Sequence, residues 1–163
     1  MRIYLIGMPG SGKTTVGKLL AEKLNYQFID LDAYIEEKTY TFIDVLISQY
    51  GEGTFRAVET ECLEEITTDN VVISTGGGIV TVKANKALMK GLKVYLDTPL
   101  ETIKKRLENS YQRPLLLKET LESLYDKRFL KYQDFADMII SNNETVNKTV
   151  SDIINSAKGL KVK

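Results

Sequence analysis

Lys13 and Thr14 stand inside GMPGSGKTT, residues 7–15, directly after the apolar run RIYLI. The string fits G-x-x-x-x-G-K-[ST], the phosphate-binding loop or P-loop. Glycines there let the backbone curl until several N–H groups converge on a phosphate. A helix opening just behind adds its dipole and its N-terminal N–H groups. A nucleoside triphosphate would then be held by Gly10, Ser11, Gly12, Lys13, Thr14 and Thr15. Lys13 would reach the β and γ phosphates, and the Thr14 hydroxyl would ligate Mg2+. A glycine-rich turn with a chance lysine is the bland alternative. It does not explain why strand, spacing and helix coincide.

Four further stretches carry chemistry. FIDLDAYI places Asp30 and Asp32 two apart, so on an extended backbone both point the same way. Two carboxylates near a phosphate loop suit Mg2+ handling and activation of a hydroxyl; capping of a following helix is the competing use. In GEGTFRAVETE, Arg56 and Glu59 are three apart and neighbour each other on a helix, where a surface ion pair is the simplest reading. VVISTGGGIV sets Gly76, Gly77 and Gly78 where backbone can approach a ligand closely, or merely turn tightly. NSYQRPLLL, Asn109–Leu117, reads as a loop with Arg113 fixed beside Pro114, and a mobile lid that excludes water is the expectation. Arg128 sits among Leu124, Phe129 and Tyr132; on that local pattern its guanidinium snorkels to solvent.

These residues need elements to position them. Short apolar runs at Ile3–Ile6, Phe28–Ile29, Val71–Ser74, Val94–Leu96 and Met138–Ile140 predict buried strands. Val16, Leu19, Leu20 and Leu24 share a helix face that ends at Asn25. Phe55, Val58, Cys62, Leu63 and Ile66 form a second stripe, and Leu121, Leu124, Tyr125, Phe129 and Tyr132 a third. Strands alternating with helices predict an α/β fold: a parallel sheet with helices on both faces, and ligands beyond the carboxyl ends of its strands. The 163 residues suit one domain, with no linker or repeat.

Composition closes off other chemistries. There is no histidine, which removes Ser-His-Asp catalysis and histidine metal sites. Twenty-two basic residues balance 22 acidic ones, against nucleic-acid binding by bulk charge. Cys62 is the only cysteine, as suits a reducing cytoplasm. No apolar run approaches the roughly 20 residues that span a bilayer, so no membrane association is expected.

Together GMPGSGKTT, the DLD after the second strand, YGEGTFRAVE, STGGG, RPLL and the R-x-x-x-Y of Arg128–Tyr132 resemble the shikimate kinase family, nearly end to end. The resemblance implies a three-layer P-loop fold with a five-stranded parallel sheet in order 2-3-1-4-5. It implies transfer of the γ-phosphoryl group of ATP to the 3-hydroxyl of shikimate, a step toward aromatic amino acids. It implies one kinase domain over 1–163, with a shikimate-binding segment over about 32–60, the lid over 109–117, and a monomer. Residue by residue, Lys13, Asp32 and Arg113 would be catalytic. Thr14 and Asp30 would hold Mg2+, Asp30 through water. Asp32, Arg56, Gly77, Gly78 and Arg128 would bind shikimate. Arg113 would touch phosphates, and Arg106 would pack on adenine. Leu31 stands where a small polar residue is expected, and Tyr40 where many members have glycine. Two alternatives stay open: another small-molecule P-loop kinase, such as a gluconate or nucleotide kinase, and a non-catalytic ATP-binding protein of the same fold.

Overall fold

A computed structural model describes residues 1–108 and 120–161 of the chain. Five strands form one parallel sheet: β1 (Arg2–Ile6), β2 (Gln27–Asp30), β3 (Val71–Ser74), β4 (Leu92–Asp97) and β5 (Met138–Ser141). Their spatial order is β2-β3-β1-β4-β5. Parallel strands must be joined by crossovers, which put helices on both faces and bury the sheet twice over. β1 shows this directly. Tyr4 and Ile6 point into one core, and Ile3 and Leu5 into the other.

The smaller core packs β1, β3 and β4 against α1 (Lys13–Leu24) and α8 (Val146–Lys161), through Val16, Leu20, Val150 and Ile153. The larger lies under α2 (Leu31–Thr39), α3 (Ile43–Tyr50), α4 (Glu52–Glu65) and α7 (Leu121–Phe135). A short 3-10 turn, Ile79–Thr81, and helices α5 (Asn85–Leu88) and α6 (Leu100–Glu108) complete that side. Each fully buried leucine or isoleucine contributes about 1.5–3 kcal/mol. Asn25 ends α1 in the left-handed conformation, φ 57°, as its position predicts.

Two local expectations are corrected. β2 stops at Asp30 and α2 starts at Leu31, so Asp30 and Asp32 do not lie on one extended segment. Asp30 instead caps α2, its Oδ1 accepting from the N–H groups of Asp32 at 3.0 Å and Ala33 at 3.4 Å. On α7 the buried face is Leu121, Leu124, Arg128, Tyr132 and Phe135, whereas Tyr125 and Phe129 are half-buried. Arg128 is 4% exposed, so it does not snorkel to water.

Tyr40 ends α2 at φ 54° and is 95% exposed. A left-handed non-glycine residue costs about 1–2 kcal/mol, and the freedom that glycine adds to the unfolded chain offsets about 0.4–1 kcal/mol. Tyr40→Gly should therefore stabilise the protein by about 0.5–1 kcal/mol, a rise in Tm of about 1–4 °C for a chain of this size. An unchanged or lower Tm in thermal unfolding would mean that contacts of the ring outweigh the backbone strain.

Candidate active site

The β1–α1 turn holds its shape through two glycines in the left-handed region, Gly10 at φ 78° and Gly12 at φ 98°. The first helical hydrogen bond of α1 runs from Val16 N–H to Gly12 O at 2.9 Å. The N–H groups of Thr14 and Thr15 precede it and face the helix mouth, where an anion is favoured. Lys13 Nζ donates to the Gly7 and Met8 carbonyls at 2.7 and 2.9 Å, which ties the ammonium to the start of the loop. Arg106, on α6, donates to the Gly10 carbonyl at 3.1 Å.

A polar cleft of about 390 Å³ opens over this turn. Gly10, Ser11, Gly12, Lys13, Thr14, Thr15, Asp30, Asp32, Gly77 and Arg106 all line it. Residues expected to hold phosphate, metal and acceptor thus meet at the carboxyl edge of the sheet. Among the described residues no three acidic or sulfur side chains gather into a metal cage. Thr14 and Asp30 fit Mg2+ in another way. They bring hard oxygen donors to the mouth of the phosphate turn, and Mg2+ keeps most of its waters and uses only one or two protein oxygens beside phosphate. Asp30 Oδ1 is taken by its cap, which leaves Oδ2 to offer.

Arg56, Gly78 and Arg128 do not line that cleft; Gly78 ends the glycine turn that forms its wall, and the two arginines lie behind that turn. A β-carbon on Gly78 would come within 2.1 Å of Arg56 Nη2, and one on Gly77 within 2.7 Å of Pro9. A β-carbon on Gly76 would lie 3.0 Å from both Asp32 Oδ1 and Glu59 Oε2. The three glycines therefore allow close approach; none of them has positive φ. Arg56 and Glu59 do pair, Nη1 to Oε1 at 2.9 Å, but the pair is buried rather than on the surface. Arg56 also meets the half-exposed Glu52 through Nη2 at 3.4 Å. From α7, Tyr132 donates to the Gly77 carbonyl at 2.5 Å and stacks on Tyr95.

Electrostatics follow from burial. Desolvation pushes the Glu59 carboxyl up, more than the charge and hydrogen bond of Arg56 pull it down; Asp32 adds to the rise and Arg128 opposes it. Burial pushes the Tyr132 hydroxyl up to about 12, against the lowering influence of Arg128 and Arg56. Four buried side-chain polar atoms have no hydrogen-bond partner among the described residues, and three of them are here: Ser11 Oγ, Arg56 Nε and Glu59 Oε2. Buried polar groups are almost always satisfied, so the open edges of Arg56 and Glu59, behind the glycine turn, mark a place built for a polar ligand.

Sequence reasoning gave Glu59 only a surface pairing, and it passed over Thr98, Asn142 and Glu144. Thr98 follows β4, and Asn142 and Glu144 follow β5. The rule that ligands sit beyond strand ends pointed at these positions too. Arg113 and the expected lid, 109–117, lie outside the described residues.

A parallel sheet in this order, with a P-loop between its central strand and first helix and a polar cleft above, defines the class of P-loop phosphotransferases. The chain resembles the shikimate kinase of Clostridium botulinum (strain Alaska E43 / Type E3), 43% identical over 93% of this chain and 94% of that protein. The solved shikimate kinase of Acinetobacter baumannii, in complex with shikimate, superposes with a TM-score of 0.93 at 36% identity, over 99% of this chain and 95% of that one. A gluconokinase from Sinorhizobium meliloti shares the fold alone, with a TM-score of 0.67 and 18% identity over 99% of this chain and 95% of that one. The shikimate kinase family model matches residues 9–158, and the chain belongs to the shikimate kinase family.

The raised Glu59 carboxyl sets a pH dependence. Between its ordinary 4.5 and its raised native value, the folded protein binds more protons at this group than the unfolded one, so its contribution to stability falls as pH rises. In urea unfolding at stepped pH, wild type should lose stability relative to Glu59→Gln above pH 4.5 and level off once Glu59 is ionised in the native state. A relative stability that climbs with pH would mean that Arg56 outweighs burial.

Proposed function

We propose that the chain transfers the γ-phosphoryl group of ATP to the 3-hydroxyl of shikimate, giving shikimate 3-phosphate and ADP. The observation that carries this reading is the buried Arg56–Glu59–Arg128 group behind the glycine turn, with Arg56 Nε bare. Two buried guanidiniums from α4 and α7 suit a small carboxylate held from two sides. Glu52, half-exposed and at 3.4 Å, is a weak partner that an acceptor carboxylate can replace on Arg56 Nη2.

The parts then divide as follows. Gly10, Ser11, Gly12, Lys13, Thr14 and Thr15 hold the ATP phosphates, and Lys13 neutralises charge spreading over the γ-phosphoryl oxygens. Arg106 sits at the nucleotide end of the cleft, against adenine. Thr14 and Asp30 hold Mg2+, which supplies further charge neutralisation when bound. Gly77 and Gly78 give the acceptor room to approach. Asp32, beside Gly76, orients the 3-hydroxyl and takes its proton as that oxygen bonds to phosphorus and ADP leaves. With no histidine in the chain, a carboxylate is the natural acceptor for that proton. Arg113 would add charge from a closing lid over 109–117, and 32–60 would form the acceptor side of a single domain over 1–163. The protein works as a monomer in the cytoplasm. Its single cysteine fits that compartment, and among the described residues no helix is long and apolar enough to cross a membrane.

The decisive assay is ADP release from ATP and Mg2+ with shikimate, gluconate and nucleoside monophosphates offered separately. Only shikimate should support turnover, and phosphorus NMR of the product should place the phosphate on the 3-oxygen. Turnover with gluconate and none with shikimate would replace this reading by the gluconate kinase alternative. Lys13→Met should stay folded and lose orders of magnitude in turnover; near-normal turnover would remove the P-loop from catalysis. Truncating one partner of a buried charge pair costs roughly 2–5 kcal/mol of binding. Arg56→Ala and Arg128→Ala should therefore each weaken shikimate at least tenfold, at about 1.4 kcal/mol per decade, with ATP binding little changed. Shikimate methyl ester should bind poorly to wild type and be far less sensitive to either change. If the ester bound as well as the acid, the two-arginine clamp would be refuted.

A further inference from the structure

Between Gly10 and Lys13 the backbone carries two glycines with positive φ, a conformation that few other residues adopt. One peptide plane there is nevertheless clamped from beneath. The Ser11 carbonyl accepts from Thr98 Oγ1 at 2.8 Å and from Asn142 Nδ2 at 2.6 Å. Thr98 follows β4 and Asn142 follows β5, so the loop after the central strand is held by the ends of the next two strands along.

Asn142 is itself fixed on every polar atom of its side chain. Its Nδ2 also donates to Thr98 Oγ1 at 3.2 Å, and its Oδ1 accepts from Thr149 Oγ1, on α8, at 2.7 Å. Its backbone N–H donates to the Asp97 carbonyl at 2.9 Å. The amide orientation is not arbitrary: Ser11 O can only accept, so the nitrogen must face it. Thr98, Asn142 and Thr149 are all buried.

A trans peptide unit places its carbonyl and the following N–H on opposite sides. Fixing Ser11 O downward therefore aims the Gly12 N–H away from Thr98 and Asn142, toward the cleft that Gly12 lines. If this plane flipped, a carbonyl oxygen would face the phosphates where a donor is needed. Glycine on one side of the plane makes that flip sterically cheap, so something outside the loop has to oppose it.

We propose that Thr98 and Asn142, with Thr149 behind them, are positioning residues for phosphate binding: their grip on the Ser11 carbonyl keeps the Gly12 N–H aimed at the nucleotide phosphates. They touch the loop's carbonyl and act on the ligand through it. The proposal rests on the reading of Gly7–Thr14 as a nucleotide phosphate cradle.

Calorimetric titration of Thr98→Val and Thr98→Ser with ADP and with pyrophosphate, and ligand-observed NMR with adenosine, test it. The loss of one hydrogen bond to the clamped carbonyl should weaken ADP and pyrophosphate about five- to thirtyfold in Thr98→Val. Adenosine, which has no phosphate, should bind as it does to wild type. Thr98→Ser keeps the hydroxyl and should stay within about twofold of wild type. Thr149→Val leaves the loop untouched, removes the hydroxyl from the Asn142 amide oxygen and from the Thr145 carbonyl at 3.2 Å, and should shift the same two ligands in the same direction. If Thr98→Val bound ADP and pyrophosphate normally, or lost adenosine in equal measure, the clamp would be overturned in favour of a purely structural network. Wild type that bound neither ADP nor pyrophosphate would overturn the nucleotide reading itself, and the proposal with it.

Discussion

Glu59 is the charge on which the packing behind the glycine turn depends. It is 0% exposed, and one of its oxygens holds Arg56 at 2.9 Å. An isolated carboxylate at that depth would be too costly to keep ionised. An isolated Arg56 would be no better. Each makes the other's burial tolerable, and the pair fixes the side chains of α4 against the glycine turn. Its geometry also leaves Arg56 Nε and Glu59 Oε2 unsatisfied. Buried ion pairs are often weak contributors to stability. This one is better understood as a preset arrangement: the protein holds two charges in place before any ligand arrives, and leaves one edge of each open.

The glycine turn between Ser74 and Ile79 carries that arrangement to the rest of the site. Gly78 lies against Arg56, Gly76 against Asp32 and Glu59, and Gly77 against Pro9 of the phosphate loop. Tyr132 closes the circuit from α7 by donating to the Gly77 carbonyl. Asn85 secures the turn's far end. It donates to the Ile79 carbonyl and accepts from Thr60 on α4. A single segment of backbone thus touches both halves of the cleft, which makes the spacing between phosphate loop and buried arginines a property of one turn. The parallel sheet brings this about because it delivers every strand's carboxyl end to the same edge.

How much of this could be read in advance depended on distance along the chain. The phosphate loop was legible because its glycines, lysine and threonine are contiguous and its physics is local. The five strands were legible because a sheet buried on both faces writes itself as unbroken apolar runs; their ends were misjudged by up to two residues, as at Leu92 and Asp97. Helix α2 was foreseen only as the element that an aspartate would cap, and α3, α5, α6 and α8 went unpredicted, though Leu100, Ile103 and Leu107 have helical spacing. Arg128 was misjudged for a different reason. Its neighbours in sequence mix exposed charges, Asp126 and Lys127, with the partly exposed Phe129, and only the turn packed opposite α7 shows that it points inward. Asn142 and Ser11 are 131 positions apart, and no pattern along the chain could join them.

One absence in the composition has a practical side. The chain contains nine tyrosines and no tryptophan. Its ultraviolet emission is therefore tyrosine emission alone. One of those rings, Tyr132, lies stacked on Tyr95 with its hydroxyl on the Gly77 carbonyl, at the wall between the two halves of the cleft. Tyrosine fluorescence is sensitive to the hydrogen bonding of its hydroxyl and to a neighbouring ring. The wild-type protein thus carries an optical probe at the wall of the cleft, and a single introduced tryptophan would be the only indole in the chain, excitable at wavelengths that its nine tyrosines do not absorb.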